Sequence, residues 1–169
     1  EENKGWTYAK YLLEFERGNA YSPGLYRAVN NLREIAKDTP TGYGRNLIDD
    51  NDFINKLNEC EIQIQAMEFV ELRIFSALSA GERVGPESSI LKCRGTEIQQ
   101  LLQELSVEAI SHWSLPFIED TFANVNEPSI GPDYALTITP NYFNGRKTTI
   151  FAGSNEIQRN IISKAVLGL

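Results

Sequence analysis

Few residues of this chain could carry chemistry, and the carboxylates stand out among them. Cys60 and Cys93 are 33 positions apart without CxxC spacing, and His112 is the only histidine. A zinc centre or disulfide framework needs more ligands, so two buried thiols and no metal are expected. His112 is expected to cap or pack at a helix end. A general base requires a carboxylate held in a partly dehydrated pocket, which raises its pKa toward working pH. Glu14 and Glu16 are competitors for that role. Two helical residues turn through about 200°, so the pair cannot share a face. Glu16 falls with Ala9, Leu13 and Ala20, and Glu14 does not. The plainer reading of Glu16 is a salt-bridged glutamate on a bundle surface. Glu71 interrupts an apolar series and is expected to pair with an arginine across the bundle, Arg94 or Arg73. Gly153 permits close backbone approach, and the free amides of a helix starting beyond Ser154 can face an anion. A glycine turn with a serine cap is the alternative there.

The elements that position these groups are helical. The first helix is expected from about Trp6 to Ala36, kinked at Pro23, because a mid-helix proline removes a hydrogen bond. A loop dense in turn residues follows, Thr39 to Gly44. Asp49 and Asp50 suit the start of a second helix. Within it Phe53, Leu57, Cys60, Ile64, Met67, Glu71, Ile74 and Leu78 form a heptad seam broken only by Glu71. Gly81 and Gly85 mark the next turn, and Pro86 opens a third helix with Ile98, Leu101, Leu102, Leu105 and Ala109 as its buried stripe. From Leu115 to Arg146 five prolines and glycines (Pro116, Pro128, Gly131, Pro132, Pro140) predict an irregular excursion with a short helix near Tyr142. Ser154 is the expected N-cap of the last helix, with Ile157, Ile161, Ile162, Ala165 and Val166 on one face. No convincing strand pair is visible. The expected fold is all-α, an up-and-down four-helix bundle with an irregular segment before the last helix.

Composition narrows the function further. The chain has 169 residues, 41% of them hydrophobic and 23% charged, the balance of an ordinary globular domain. A net charge of −7 with no basic run argues against a nucleic-acid partner. No apolar stretch approaches the ~20 residues of a membrane span. Glu1 to Gly5 has no signal-peptide character and the chain does not start with Met, so a cytoplasmic protein with further sequence ahead of residue 1 is expected. Long apolar seams also imply a homo-oligomer.

The C-terminal segment is more specific. Thr149-Ile150-Phe151-Ala152-Gly153-Ser154-Asn155-Glu156-Ile157-Gln158-Arg159-Asn160-Ile161-Ile162, closing on Val166-Leu167-Gly168-Leu169, resembles the end of acyl-CoA dehydrogenases. Gly5-Trp6 and Phe15-Glu16-Arg17-Gly18 resemble the first helix of that family's C-terminal domain, so the resemblance spans nearly the whole chain. It implies that residues 1–169 are this helical domain, without the N-terminal helical and middle β domains. It further implies FAD as cofactor and α,β-desaturation of an acyl-CoA thioester, with electrons passed to an electron-transferring flavoprotein. The implied assembly is a homodimer or tetramer.

Much of the family carries its base in the terminal motif, where this chain has Ala152. Isovaleryl-CoA dehydrogenase and its relatives also have alanine there and place the base in the first helix, which here implies Glu16 as base beside Arg17. By the same resemblance Arg17, Ala152 and Gly153 approach the substrate, and Ser154, Asn155, Glu156 and Tyr43 approach the flavin nucleotide. Two departures stand against this. The family's Arg-x-x-Phe-Gly reads Thr41-Gly42-Tyr43-Gly44, and its Gly-Gly-x-Gly region reads Asn124 to Gly131 with no such glycines. They leave room for a flavin-poor, non-catalytic partner in a heteromeric enzyme. A helical oligomerisation module without redox chemistry is the third reading.

Overall fold

The first expected helix is in fact two. In the computed structural model, which describes residues 1–17, 19–82, 85–116 and 130–169, and of residues 14–17 the backbone, α1 spans Gly5–Arg17 and α2 spans Ser22–Asp38. Pro23 sits in the first turn of α2 rather than kinking a longer helix. That turn is where a missing N–H costs nothing, so the chain breaks ahead of the proline instead of bending at it. Ala20 therefore lies beyond the stripe it was expected to share with Ala9 and Leu13, which are half-buried.

The start of α2 is buried, and Glu71 satisfies it. Its Oε1 accepts hydrogen bonds from the Tyr21 amide at 2.7 Å and the Ser22 amide at 3.0 Å, and its Oε2 accepts from the Ser22 hydroxyl. Among the described residues no arginine is involved, contrary to the expected pairing with Arg94 or Arg73. Arg94 lies half-exposed and bonds Glu97 and Gln63. The physical reason is economy of desolvation. A helix start presents a partial positive charge and free amides, which hold a buried carboxylate without burying a second full charge.

A short antiparallel hairpin follows α2, with β1 at Pro40–Gly42 and β2 at Arg45–Asn46. Gly42, Tyr43 and Gly44 all have positive φ (93°, 53° and 72°), and Tyr43 is fully exposed at the tip. Of the two expected caps, only Asp50 caps α3 (Asn51–Ser79), accepting from the Asp52 and Phe53 amides at 2.9 and 3.0 Å. Asp49 ends a short 3-10 turn, Leu47–Asp49, and accepts from the Asn46 amide instead.

The α3 seam is buried from Phe53 to Ile74, with Leu78 partly covered, as its spacing predicts. It meets Leu25, Val29, Leu32 and Ala36 of α2 and Leu91, Ile98, Leu102, Leu105 and Ala109 of α4 (Glu87–Ile110) in one core. Leu101 is a correction: it is 40% exposed. At 100° per residue it lies roughly 70° off the centre of that stripe. His112 and Trp113 follow in a 3-10 turn at the end of α4, their rings 4.4 Å apart. Both cysteines are buried and free, and burial pushes both thiols up.

Tyr142 lies in a short helix as expected, α5 at Ile138–Gly145. The rest of the irregular excursion is described only in part, since residues 117–129 fall outside the described ones. The last helix, α6, spans Asn155–Ile162 and continues as a π-helical turn, Ser163–Leu167. Its buried face is not the expected apolar one. Ile157 is 51% and Val166 61% exposed, whereas Asn155 and Gln158 are buried. Helix α4 is the hub, packing against α2, α3, α5 and α6, so the fold is an all-α bundle. Among the described residues no helix is long and apolar enough to cross a membrane.

Candidate functional site

The turn ahead of α6 has an unusual backbone. Ala152 and Gly153 are consecutive residues in the left-handed region, with φ of 55° and 84°. Glycine adopts this conformation freely, but a residue with a Cβ is destabilised there by about 1–2 kcal/mol. Surrounding contacts must hold Ala152 in place.

Those contacts come from a polar seam between α4 and α6. Lys92, only 3% exposed, donates to the Thr148 carbonyl at 3.1 Å and to Asn155 Oδ1 at 2.9 Å. Asn155 Nδ2 donates to Thr96 Oγ1 at 3.3 Å, which fixes the amide so that its oxygen faces Lys92. One turn along, Gln158 Oε1 accepts from Ser89 Oγ at 2.9 Å and its Nε2 donates to the Gly153 carbonyl at 3.3 Å. Burial lowers the Lys92 ammonium below the ordinary lysine value.

The outer side of the turn stays open. Ala152 is exposed and Gly153 and Ser154 are half-buried. Ser154 occupies the N-cap position, but its side chain does not cap the helix. Its hydroxyl and Glu156's own backbone amide hold the exposed Glu156 carboxyl below the ordinary value. A negative charge therefore already sits at the positive end of α6.

Two pockets lie against α4. One, about 400 Å³, is lined by Gln99, Gln103, Ser106 and Phe151 among others. The second, about 410 Å³, shares Gln99, Gln103 and Ser106 and is also lined by Ala20, Tyr21 and Gly24 around the start of α2.

The expected site residues divide accordingly. Ala152, Gly153, Ser154 and Glu156 are gathered at the open face of the turn. Asn155 turns inward, with its side chain committed to Lys92 and Thr96. Tyr43 lies apart, in a cleft with Arg45, Asn46 and Asp49. Glu16 and Arg17 end the α1 backbone, and their side chains lie outside the described residues, as does the segment from Asn124 to Ser129. Sequence reasoning missed Ser89, Lys92, Thr96 and Gln158. Their helical spacing was the one sign of them, and a hydrated polar face shares it.

The chain matches the family model described as acyl-CoA dehydrogenase, C-terminal domain, over residues 3–167. Acyl-CoA dehydrogenase FadE26 of Mycobacterium tuberculosis is 26% identical across 100% of this chain and 41% of its own length. Acyl-CoA dehydrogenase IpdE1 of the same organism is 29% identical across 98% of this chain and 38% of its own. The chain therefore spans about two fifths of these relatives. Among solved structures, the Tcur3481-Tcur3483 steroid ACAD G363A variant superposes with a TM-score of 0.77 at 20% identity, over 100% of this chain and 41% of the other. At that identity the likeness concerns the fold.

Proposed function

The chain belongs to the acyl-CoA dehydrogenase family, of which it forms the C-terminal domain, and on that premise we propose that it supplies the base and one wall of the substrate site in α,β-desaturation of an acyl-CoA thioester. The observation that carries this reading is the pair of pockets that share Gln99, Gln103 and Ser106 of α4, one reaching Phe151 and the other the residues around the start of α2. Ala152 cannot accept a proton, so Glu16 takes the α proton, with Arg17 as a substrate contact. Ala152 and Gly153, next to Phe151 at the open turn, leave room for the thioester carbonyl.

The family's cofactor is FAD, which supplies the acceptor for the β-carbon hydride. The residues present fit part of it. The Asn155 and Ile157 amides begin α6, but Glu156 already neutralises that end, which suits hydroxyls and ring edges better than phosphate. Tyr43 offers a fully exposed ring for stacking. An N-terminal helical domain and a middle β domain complete the enzyme in this reading, which works in the cytoplasm as a dimer or tetramer and passes electrons to an electron-transferring flavoprotein.

A second reading has a specific observation behind it. Thr41 stands where the family's flavin motif has arginine, and the similar steroid enzyme is named for two gene products. This chain would then be the flavin-poor partner in a heteromeric enzyme, acting on a steroid-derived acyl thioester.

Glu16→Gln in the complete enzyme separates the two. Turnover should fall at least ~100-fold, the scale of general-base loss, while acyl-CoA affinity stays within a few-fold. Glu14→Gln should be near wild type, since that side chain leaves the helix about 200° away. Adding Ala152→Glu to Glu16→Gln should recover part of the activity. Normal turnover by Glu16→Gln would assign the chain to the partner role.

A further inference from the structure

Lys92 is out of place for stability alone. Its ammonium is almost fully buried, and its hydrogen-bond acceptors are a carbonyl and a side-chain amide, with no carboxylate among them. A buried cation held by neutral groups is usually no better for the fold than an apolar side chain of equal size. Its partners, however, are not scattered. Thr148 precedes the left-handed turn and Asn155 follows it, so a single nitrogen brackets the whole segment from both ends.

We infer that Lys92 is a positioning residue, which staples Thr148 to Asn155 and thereby fixes the Phe151–Ser154 turn and the first amides of α6. Three features make the staple rigid. Thr96 receives the Asn155 amide and is itself tied to the Lys92 and Cys93 carbonyls at 2.8 and 3.1 Å, so the Asn155 side chain cannot rotate away. Gln158 provides a second tie, from Ser89 to the Gly153 carbonyl. Between the ties lies Ala152, whose left-handed backbone persists only where its surroundings over-determine it. The apolar stem of Lys92 packs in the bundle while its nitrogen sets the turn, so the helix core and the site are linked through one side chain.

The catalytic consequence rests on the function proposed above; the mechanical one does not. Both are tested with Lys92→Met, which keeps the stem and removes the donor. In this chain, hydrogen exchange of the backbone amides should quicken roughly tenfold in residues 150–158, the scale of one lost hydrogen bond, and stay unchanged in α2 and α3. Asn155→Leu should reproduce the effect, and the double variant should add little to either, as for two ends of one link. Asn155→Asp, which keeps an acceptor for Lys92, should restore most of the protection. If Lys92→Met does not fold, Asn155→Leu and Asn155→Asp test the same link from the other end. Unchanged exchange in the turn, or equal quickening across all helices, overturns the inference. In the complete enzyme Lys92→Met should lower kcat with KM for acyl-CoA little changed. A loosened turn with unaltered kcat would overturn the turn's assignment to the substrate site, and with it the positioning role, while leaving the mechanical link intact.

Discussion

Replacing Glu71 should unfold the start of α2 before it disturbs anything else. The carboxylate is 2% exposed and accepts from the Tyr21 and Ser22 amides and the Ser22 hydroxyl. Glu71→Leu fills the space but removes the carboxylate that accepts from both amides and the Ser22 hydroxyl. Each buried unsatisfied donor costs about 1–3 kcal/mol, so a total of about 3–5 kcal/mol is expected. Glu71→Gln retains one acceptor oxygen and loses the charge, which places it at about 1–2 kcal/mol. Ser22→Ala removes only the hydroxyl and should cost about 1 kcal/mol. Urea unfolding of the purified chain measures all three. With a slope near 2 kcal/mol/M, Glu71→Leu should lower the midpoint by roughly 2 M at unchanged slope. Arg94→Ala serves as the control for the arginine pairing that sequence suggested. Its contacts are at the surface, so it should cost less than about 1 kcal/mol. If Glu71→Leu fell within 1 kcal/mol of wild type, or Arg94→Ala matched it, the capping argument would be wrong.

Ala152→Gly should stabilise the chain by roughly 0.5–1 kcal/mol, because glycine accepts the left-handed φ that alanine resists, less its larger unfolded-state entropy; a fall in thermal midpoint would contradict the turn geometry. In alkaline solution the buried thiols work against the fold: with Cys60 and Cys93 raised above the ordinary 9.0, the unfolded chain gives up these protons first, and stability should be lost as pH rises past that value. Lys92, lowered in the fold, works in the opposite sense, so denaturation midpoints of Lys92→Met should decline more steeply with pH than wild type, and a parallel decline would count against the buried ammonium. Trp6, Leu12, Phe69 and Leu72 are each more than half exposed, and sedimentation at micromolar concentration should find a dimer or tetramer. A clean monomer would refute that.

The core was readable because apolar side chains at helical spacing have one common outcome. The Phe53 to Ile74 seam, most of the α4 stripe and the Asp50 cap all follow from local rules. Glu71 was visible as an interruption, but its partner was not, because the chain break that creates the free amides depends on where α2 starts. Pro23 admits both a kink and a first-turn position, and only packing chooses between them. The α4–α6 seam was unreadable for a different reason. Ser89, Lys92, Thr96, Asn155 and Gln158 have the composition of a hydrated face, and nothing local distinguishes polar groups that meet water from polar groups that meet each other. Tyr43, Ala152 and Gly153 were selected by resemblance, and all three have positive φ angles that no local sequence rule pointed to.

The polar character of that seam bears on how the chain is made. Helices α2, α3 and α4 follow one another closely and share an apolar core, so they can consolidate while synthesis continues. Ser89 must wait for Gln158, 69 residues later, before its own bond can close. During that interval the waiting face of α4 presents hydroxyls and an ammonium to water. A growing bundle that lacks α6 is thus hydrated where it is unfinished rather than adhesive, and the Phe151–Ser154 turn is the last part of the bundle to be set.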